Sequence, residues 1–264
     1  MHDLLDNIIQ KRLPCFFVSP HLDDAAFSAA GLISYLNAAV VPVTIVNVFT
    51  AVGDHQGSLS ARAFLAQCGY SSPEQLFSDR IKEDQLAFAE LANVKIINLG
   101  CIDSLWRLKS EKNPLVSKLG HYIPELVNVY PTHRWHVNQG KIAKADAPLI
   151  KEISQKIKAI LPPKSVLFAP LAVGNHFDHV VVKQVCSSLR SDCIYWLDYP
   201  YHLKNAVDQD FIMAKKLKRY DFNQSLDAKQ KIILKYSSQL KPIFGTINPE
   251  IIPDYYFVPD TQIS

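Results

Sequence analysis

The sequence predicts an α/β fold, specifically a Rossmann-like three-layer sandwich with a mainly parallel sheet and helices on both faces. Short apolar segments alternate with longer amphipathic segments along most of the chain, which is typical of strand–helix units that build a parallel sheet. Segment 43–49 (VTIVNVF) is mostly apolar and rich in β-branched residues, as expected for a buried strand. In such sheets ligands bind at the carboxyl ends of the strands, so functional residues are expected there.

The predicted elements are regular in their order and in their boundary signals. Ser72, followed by Pro73 and Gln75, has the pattern of a helix N-terminus with Ser72 as the N-cap. Gly100 is predicted to end the strand that precedes it. In chain order we predict strand 15–19, helix 25–38, strand 43–49, a helix from 73 to about 92, strand 94–99, helix 148–161, strand 165–169, helix 179–190 and strand 193–197.

Residues 103–145 interrupt this regularity. The segment contains several prolines and histidines and two tryptophans among basic residues, and no single hydrophobic period persists in it. We predict an insertion or lid there, because long irregular segments in compact domains are usually functional or mobile. The whole chain, 1–264, is predicted to be a single domain. Its C-terminal part from about residue 204 is predicted to be mainly helical, with 227–240 as the clearest helix.

The composition is that of a globular protein: 48% of the 264 residues are hydrophobic and 20% are charged. The net charge of +3 is small and evenly spread, which argues against nucleic acid as the main partner. The N-terminus does not resemble a signal peptide, and no apolar stretch approaches the roughly 20 residues that span a bilayer. The five cysteines are scattered without a CxxC pair and are predicted to be reduced. We therefore expect a cytoplasmic protein. Its oligomeric state stays open, and a homo-oligomer is one alternative.

A first polar cluster, His21, Asp23 and Asp24, follows the first predicted strand. His21 and Asp24 are three positions apart, so one turn of chain brings their side chains together, and imidazole with carboxylate suits zinc. Asp23 lies between them, where a general base for a metal-activated water is expected. The alternative is structural: Asp23 or Asp24 caps the following helix, and His21 is an ordinary turn residue. An aspartate-dependent phosphatase would require the motif Asp-x-Asp at this position, and His21 would have no role in it.

A second cluster, Gly174–His179 (GNHFDH), follows the strand predicted at 165–169. A third zinc ligand from this segment would complete a catalytic site with one open position for water. His176 and His179 are both candidates for that ligand, and the other histidine would act as an acid or electrophile. Asp178 is predicted to orient an imidazole. The structural alternative is a polar helix N-terminus capped by Asn175.

The segments SPHLDDA and GNHFDH together resemble the signatures of the LmbE-like (PIG-L) zinc N-deacetylase family. Weaker similarities lie in Arg80–Asp84 (RIKED), Leu99–Asp103 (LGCID) and Lys235–Gln239 (KYSSQ). The resemblance covers most of the chain except 103–145. Two departures are Leu22 in place of a proline and Ala25 in place of a glutamate. The glutamate is not a ligand, so its loss leaves the metal site but puts substrate contacts in doubt.

The resemblance implies roles for individual residues. His21, Asp24 and His179 would hold Zn²⁺, although such a site also accepts other divalent transition metals. Asp23 would be the general base, His176 would stabilise the oxyanion or protonate the leaving amine, and Asp178 would tune a neighbouring histidine.

The substrate residues are predicted with open alternatives. Arg80 would bind an anionic or hydroxyl-rich group, or else form a surface ion pair with Asp84. Asp103 would bind sugar hydroxyls, or else cap a loop. Arg107 is the third substrate-binding candidate. Together with Trp106, Arg134, Trp135 and His136 it would shape the mouth of the site.

The implied function is a zinc-dependent hydrolase. It would remove an N-acyl group, acetyl in the first instance, from a small-molecule amino-sugar substrate. The alternatives are another metal-dependent hydrolase such as a phosphoesterase, and a non-catalytic sugar-binding module on the same fold.

Overall fold

Seven strands form one twisted sheet at the centre of the computed structural model, which describes residues 2–53, 57–109, 114–131, 140 and 142–260. The strands are β1 Cys15–Ser19, β2 Val43–Ala51, β3 Val94–Ile102, β4 Val166–Pro170, β5 Ile194–Trp196, β6 Leu217–Phe222 and β7 Asp254–Pro259. Their spatial order is β3-β2-β1-β4-β5-β7-β6. The pairs among β1 to β5 are parallel, whereas β7 is antiparallel to both β5 and β6.

Helices cover both faces of the sheet, which confirms the predicted α/β fold. They are α1 His2–Lys11, α2 Asp24–Ala38, α3 Leu59–Cys68, α4 Pro73–Phe88, α5 Pro114–Tyr122, α6 Pro124–Val127, α7 Ala147–Ile160, α8 Phe177–Leu189, α9 Gln209–Ala214, α10 Leu226–Ile233 and α11 Ser237–Phe244. Among the described residues, short 3₁₀ turns lie at Ser104–Trp106, Lys144–Asp146 and Tyr201–Leu203.

Alternate side chains of β1 enter two separate cores. Phe16 and Val18 belong to the core under α3, α7 and α8, whereas Cys15 and Phe17 belong to the core under α1, α2 and α10. Both sets are buried because successive side chains of a strand point to opposite faces. This explains why the strand sequence CFFVS lacks the polar alternation of a half-exposed strand.

Helix α2 consists mostly of small residues because it is buried on nearly every side. It packs on the sheet and also against α10 and β7. At Gly31 a Cβ atom would lie 2.9 Å from Asp254 Oδ2 and 3.0 Å from the Gln224 carbonyl oxygen. Only glycine therefore allows this close approach of helix and loop.

The position of β1 between β2 and β4 creates the switch point of the sheet. The chain leaves β1 towards α2 and β2, and it leaves β4 towards α8 and β5, so the loops after β1 and β4 diverge to opposite sides. A crevice opens at such a point, outside the carboxyl ends of the strands. Both polar clusters found in the sequence follow these two strands.

The C-terminal part differs from its prediction as mainly helical. It contains α9, α10 and α11, but also the antiparallel strands β6 and β7. The predicted helix 227–240 is divided into α10 and α11. Strand β6 (LKRYDF) has a largely exposed, polar sequence, so the hydrophobic pattern that identifies buried strands is weak there.

The predicted insertion contains ordered structure in its described portions. Trp106 is fully buried and packs edge-on against Phe77, with 5.4 Å between ring centres, so it belongs to the core rather than to the mouth of a site. Arg134, Trp135 and His136 lie outside the described residues, and the lid remains a prediction. None of the described helices is both long enough and apolar enough to cross a bilayer.

A buried ion pair within the C-terminal part also contacts α2 through a backbone hydrogen bond. Lys229 Nζ lies 2.7 Å from Asp254 Oδ1, and both side chains are fully buried. The other carboxylate oxygen, Asp254 Oδ2, accepts a hydrogen bond from the backbone N–H of Leu32 at 2.9 Å. The pair therefore connects α10, β7 and the middle of α2.

We predict that Lys229→Met lowers the free energy of unfolding by about 3–5 kcal/mol, because it leaves the Asp254 carboxylate buried without its cation. Urea unfolding of the variant and the unaltered protein measures the change. The same substitution at the exposed pair Lys218–Asp260 serves as the control and should leave the midpoint unchanged. Equal effects of the two substitutions would contradict this view of the buried pair.

Candidate metal and catalytic site

A cavity of about 170 Å³ lies at the switch point of the sheet. Residues from both sequence clusters line it, together with side chains from α4 and from the C-terminal part. The lining residues that bear polar groups are His21, Asp23, Asp24, Arg80, Asp103, His176, Tyr201, Asn205 and Gln239. The fold therefore brings together residues that are far apart in the chain.

Three of the predicted ligands converge on one point. Asp24 Oδ2 lies 3.0 Å from His21 Nδ1 and 3.3 Å from His179 Nε2, and the three residues form a group able to hold a metal ion. Ligand atoms around a tetrahedral zinc, at 2.0–2.1 Å from the metal, would be separated by about 3.3–3.4 Å. The spacing of these side chains is close to that value, so the residues fit a divalent metal.

The second nitrogen of each histidine is held by another carboxylate. His179 Nδ1 lies 2.8 Å from Asp198 Oδ1, and His21 Nε2 lies 3.2 Å from Asp178 Oδ2. Carboxylates that bind the outer nitrogen of a metal-binding histidine fix its ring orientation and tautomer. Both imidazoles are therefore oriented with one nitrogen towards Asp24.

The electrostatics of this group are those of a site that attracts a cation. Burial alone would lower the pKa of His179, but Asp24 and Asp198 raise it to about 9. Burial also opposes protonation of His21, yet hydrogen bonds with Asp178 and Asp24 raise its pKa well above the ordinary value. Burial alone would raise the pKa of Asp24, but His179 and His21 hold it well below the ordinary value.

A second possible ligand group comprises His21, His176 and Asp178. Both oxygens of Asp178 are already occupied: Oδ1 accepts from Arg107 Nη2 at 2.8 Å and Oδ2 accepts from the Ser104 backbone N–H at 3.1 Å. These contacts, above all the Arg107 charge, hold the pKa of Asp178 below its ordinary value although burial acts in the opposite direction. The group with His179 is therefore the better candidate for a metal.

Asp23 is buried with one oxygen bound and the other unpartnered. Its Oδ1 accepts a hydrogen bond from Arg80 Nη2 at 2.9 Å, whereas Oδ2 has no hydrogen-bond partner among the described residues. Burial raises the pKa of Asp23 above its ordinary value, and the positive charge of Arg80 opposes that rise. An unpartnered buried polar atom is rare, and this one belongs to a residue of the cavity wall.

The ion pair of Arg80 differs from the surface pair considered as an alternative. Arg80 is 3% exposed and bonds to Asp23, not to Asp84. Asp84 accepts hydrogen bonds from Asn47 Nδ2 and the Tyr236 hydroxyl instead. Burial raises the pKa of Asp84 to about 7. Arg80 lines the cavity, as a substrate-binding role requires. That role stays a prediction.

Arg107 does not line the cavity. Its guanidinium contacts Asp178 and Asp146 and lies 4.9 Å from the centre of the Phe49 ring. The structure thus places it behind Asp178, where it holds that carboxylate in position. This location of Arg107 does not support its predicted contact with substrate.

Asp103 and His176 both line the cavity. Asp103 Oδ1 caps the following turn by accepting from the Leu105 backbone N–H at 2.9 Å, and Oδ2 lies 3.6 Å from His21 Nε2. Burial raises the pKa of Asp103, against the influence of His21. His176 caps α8, because its Nδ1 accepts a hydrogen bond from the Asp178 backbone N–H at 3.3 Å.

The sequence analysis missed Asp198, Tyr201 and Gln239. Asp198 directly follows the segment predicted as the last parallel strand, so the rule that located His21 and His179 would also have identified it. Tyr201 lies further along the same connection after β5, whereas Gln239 follows no parallel strand. Gln239 lies in the KYSSQ segment, whose resemblance to the family was noted without a role.

Comparison with known proteins gives a family match for the central part of the chain. A family model described as PIG-L, GlcNAc-PI de-N-acetylase, matches residues 16–190. This range includes both polar clusters and ends at α8. No curated protein matches the chain at a significant level.

Several solved structures share the fold over nearly the whole chain. The zinc-inhibited form of the teicoplanin deacetylase Orf2 is 18% identical, with a TM-score of 0.71 over 94% of this chain and 100% of that one. The A40926 pseudoaglycone deacetylase Dbv21 is also 18% identical, with a TM-score of 0.65 over 94% and 97%. A conserved protein from Thermus thermophilus, TT1542, is 14% identical, with a TM-score of 0.52 over 94% and 95%. At these identities the likeness establishes the fold.

We predict that Asp198→Asn weakens zinc binding about 10- to 100-fold, because an amide at this position no longer fixes the His179 ring as the carboxylate does. Competition with a chelating dye measures the affinity. The control is Asp192→Asn, which removes a carboxylate at the other end of β5, where it pairs with Arg190. Unchanged zinc affinity of the Asp198 variant would contradict the predicted ligand set.

Proposed function

The chain belongs to the PIG-L (GlcNAc-PI de-N-acetylase) family, and on this premise we propose that it is a metal-dependent hydrolase that removes an N-acyl group from an amino-sugar-containing substrate. Acetyl is the simplest acyl group. The single observation that carries the proposal is the juxtaposition of a potential metal group with the unpartnered oxygen of Asp23 at one cavity. The fold shared with the teicoplanin deacetylase and the A40926 pseudoaglycone deacetylase supports amide hydrolysis over phosphoester hydrolysis.

Zinc is the proposed metal, held by His21, Asp24 and His179. Two imidazoles and one carboxylate are a usual donor set of catalytic zinc sites, which keep a further position open. When bound, the metal would lower the pKa of a water towards about 7 and polarise an amide carbonyl. Other divalent transition metals accept the same donors, and metal analysis of the purified protein distinguishes them.

Asp23 is the proposed general base. Arg80 holds Oδ1, which leaves Oδ2 as the atom that accepts a proton from the attacking water. A general base works best when its pKa approaches the working pH, and burial raises the pKa of Asp23 in that direction. The positive charge of Arg80 opposes this rise in pKa and so favours the ionised form of the base.

His176 is the proposed hydrogen-bond donor to the developing oxyanion, and the proton that Asp23 takes from the water then passes to the leaving amine. Because Nδ1 accepts a backbone hydrogen bond from Asp178, the neutral ring carries its proton on Nε2. A donor placed in advance where negative charge develops is among the strongest contributions to catalysis. Asp178 and Arg107 are proposed as positioning residues. Asp178 holds the His21 ring, and Arg107 holds Asp178.

The proposed function is tested by acetate release from a panel of N-acetyl amino sugars, with the zinc-loaded protein. Phosphate release from sugar phosphates is the parallel assay for the alternative phosphoesterase. Zinc-dependent acetate release supports the proposal. Phosphate release without acetate release overturns it, and binding of the sugars without either reaction indicates a binding module.

We predict that Asp23→Asn retains zinc but lowers the rate of acetate release about 10²- to 10⁴-fold, the usual contribution of a positioned base. His179→Ala should lose both zinc and activity, since it removes a ligand. Metal content and turnover are measured on the same samples. Asp79→Asn, a change at a partly exposed position of α4 one residue before Arg80, is the control. Near-normal turnover of the Asp23 variant would rule out Asp23 as the base.

A further inference from the structure

We propose that a second cavity, next to the catalytic one, binds an uncharged apolar group that is attached to the amino sugar of the substrate. The inference rests on the proposed function and deepens it, because it names the substrate class as glycosides with an apolar aglycone. The second cavity has a volume of about 360 Å³, and its walls come from residues within 199–205, after β5, and within 243–250, at the end of α11 and beyond. Both segments lie outside residues 16–190, which match the family model.

The two cavities share part of their walls. Tyr201, Asn205 and Ile243 line both of them. Tyr201 is also close to the metal group, since its ring lies edge-on to that of His179 with 5.8 Å between ring centres. Asn205 is exposed, so the boundary between the cavities reaches the surface. A ligand whose amide lies at the metal group can therefore extend past Asn205 into the second cavity.

The size of the catalytic cavity indicates that a substrate extends beyond it. Its volume of about 170 Å³ is below the roughly 300–1,000 Å³ of usual small-molecule sites. When the second cavity, of about 360 Å³, is included, the combined space falls within that range. We therefore assign the N-acyl amino sugar to the catalytic cavity and the group attached to the sugar to the second cavity.

Apolar and aromatic side chains form most of the wall of the second cavity. They are those of Tyr199, Pro200, Tyr201, Leu203, Ile243, Phe244 and Pro249. Leu203 is 60% exposed, so a ligand that covers it removes apolar surface from water. The charged lining residues, Lys204 and Glu250, are both exposed and opposite in sign. The wall therefore favours an uncharged ligand.

Polar groups of the same wall already have partners within the protein. The Tyr199 hydroxyl donates a hydrogen bond to the backbone carbonyl oxygen of Glu250. Asn205 Nδ2 donates to the Tyr201 carbonyl oxygen at 2.8 Å. A hydroxyl-rich group placed here would lose hydrogen bonds with water and gain few in return, whereas an apolar group has none to lose. This difference favours an apolar aglycone over a second sugar.

Two aromatic side chains of the wall are held in place before any ligand binds. The Phe244 ring packs against Phe27 of α2 and against Tyr199, with 5.0 Å and 5.2 Å between ring centres. The Tyr199 backbone N–H donates to the Ser28 hydroxyl at 3.0 Å. A wall that is already ordered reduces the entropy lost on binding. An aromatic aglycone would also gain from ring packing with these side chains.

The test combines Leu203→Asp with N-acetylglucosaminides that differ only in the group on the anomeric oxygen: methyl, benzyl or glucose, each as both anomers. For the unaltered protein, we expect kcat/KM for acetate release from one benzyl anomer to exceed that of its methyl counterpart about tenfold, as for removing two methylene groups from water. Leu203→Asp should abolish this advantage, because the apolar group would then desolvate a carboxylate.

The control is Leu86→Asp, the same change at a leucine of similar exposure. Leu86 is 63% exposed on α4 and lines neither of these two cavities. This variant should keep the benzyl advantage. Because both leucines are exposed, the Tm of each variant should stay near that of the unaltered protein, which separates a loss of aglycone binding from a loss of folding.

Three outcomes would overturn the inference alone, while acetate release keeps the proposed function in place. Equal kcat/KM for the methyl and benzyl glycosides would remove the apolar contact. An advantage of glucose that equals or exceeds that of benzyl would reassign the second cavity to a second sugar. A benzyl advantage that Leu203→Asp retains would place the apolar group elsewhere. If the unaltered protein releases acetate from none of the glycosides, the proposed function is overturned, and the inference with it.

Discussion

The site depends on one carboxylate, Asp24, which is held between two imidazoles from opposite sides of the sheet. Asp24 and His21 follow β1, and His179 follows β4, so their contact exists only because these strands are neighbours at the switch point. Around them, four more carboxylates, of Asp23, Asp103, Asp178 and Asp198, are buried. So many buried anions require cations nearby. Arg80, Arg107 and the two histidines meet that requirement, and a bound metal ion would add to it.

The hydrophobic pattern of the strands explains why much of the fold, and the positions of both polar clusters within it, could be predicted from the sequence while other features could not. Strands β1, β2, β4 and β5 are mostly apolar and almost entirely buried, and β3 contains an apolar segment although it is partly exposed, so their hydrophobic pattern located all five. The rule that sites lie at their carboxyl ends then led to both polar clusters. Arg107 was predicted at the substrate because its residue type suits an anionic group, but the sequence does not reveal that Asp178 and Asp146 already occupy its guanidinium. Strands β6 and β7 were missed because they pair antiparallel beyond the last crossover, and because β6 is largely polar and exposed.

Two parts of the chain build the wall of the cavity. The metal group, Asp23 and His176 all lie within the region that matches the family model. Tyr201, Asn205 and Gln239 line the same cavity from outside that region. Hydrogen bonds to the carboxylates of Glu83, Asp84 and Asp254 fasten the C-terminal part to α2 and α4. Changes in this part can therefore alter the cavity wall while the ligand cluster stays in place.

The polar sequence of β6 has a consequence at the margin of the molecule. This strand is the last one on its side of the sheet, and Lys218, Arg219 and Asp221 occupy its middle. An edge strand presents unpaired backbone groups that can recruit another chain, and charged side chains discourage such recruitment. The exposed ion pairs Lys218–Asp260 and Arg219–Asp221 would have to be stripped of water before a foreign strand could pair there. The charged residues that protect this edge against aggregation are thus the same ones that make β6 difficult to recognise from its hydrophobic pattern.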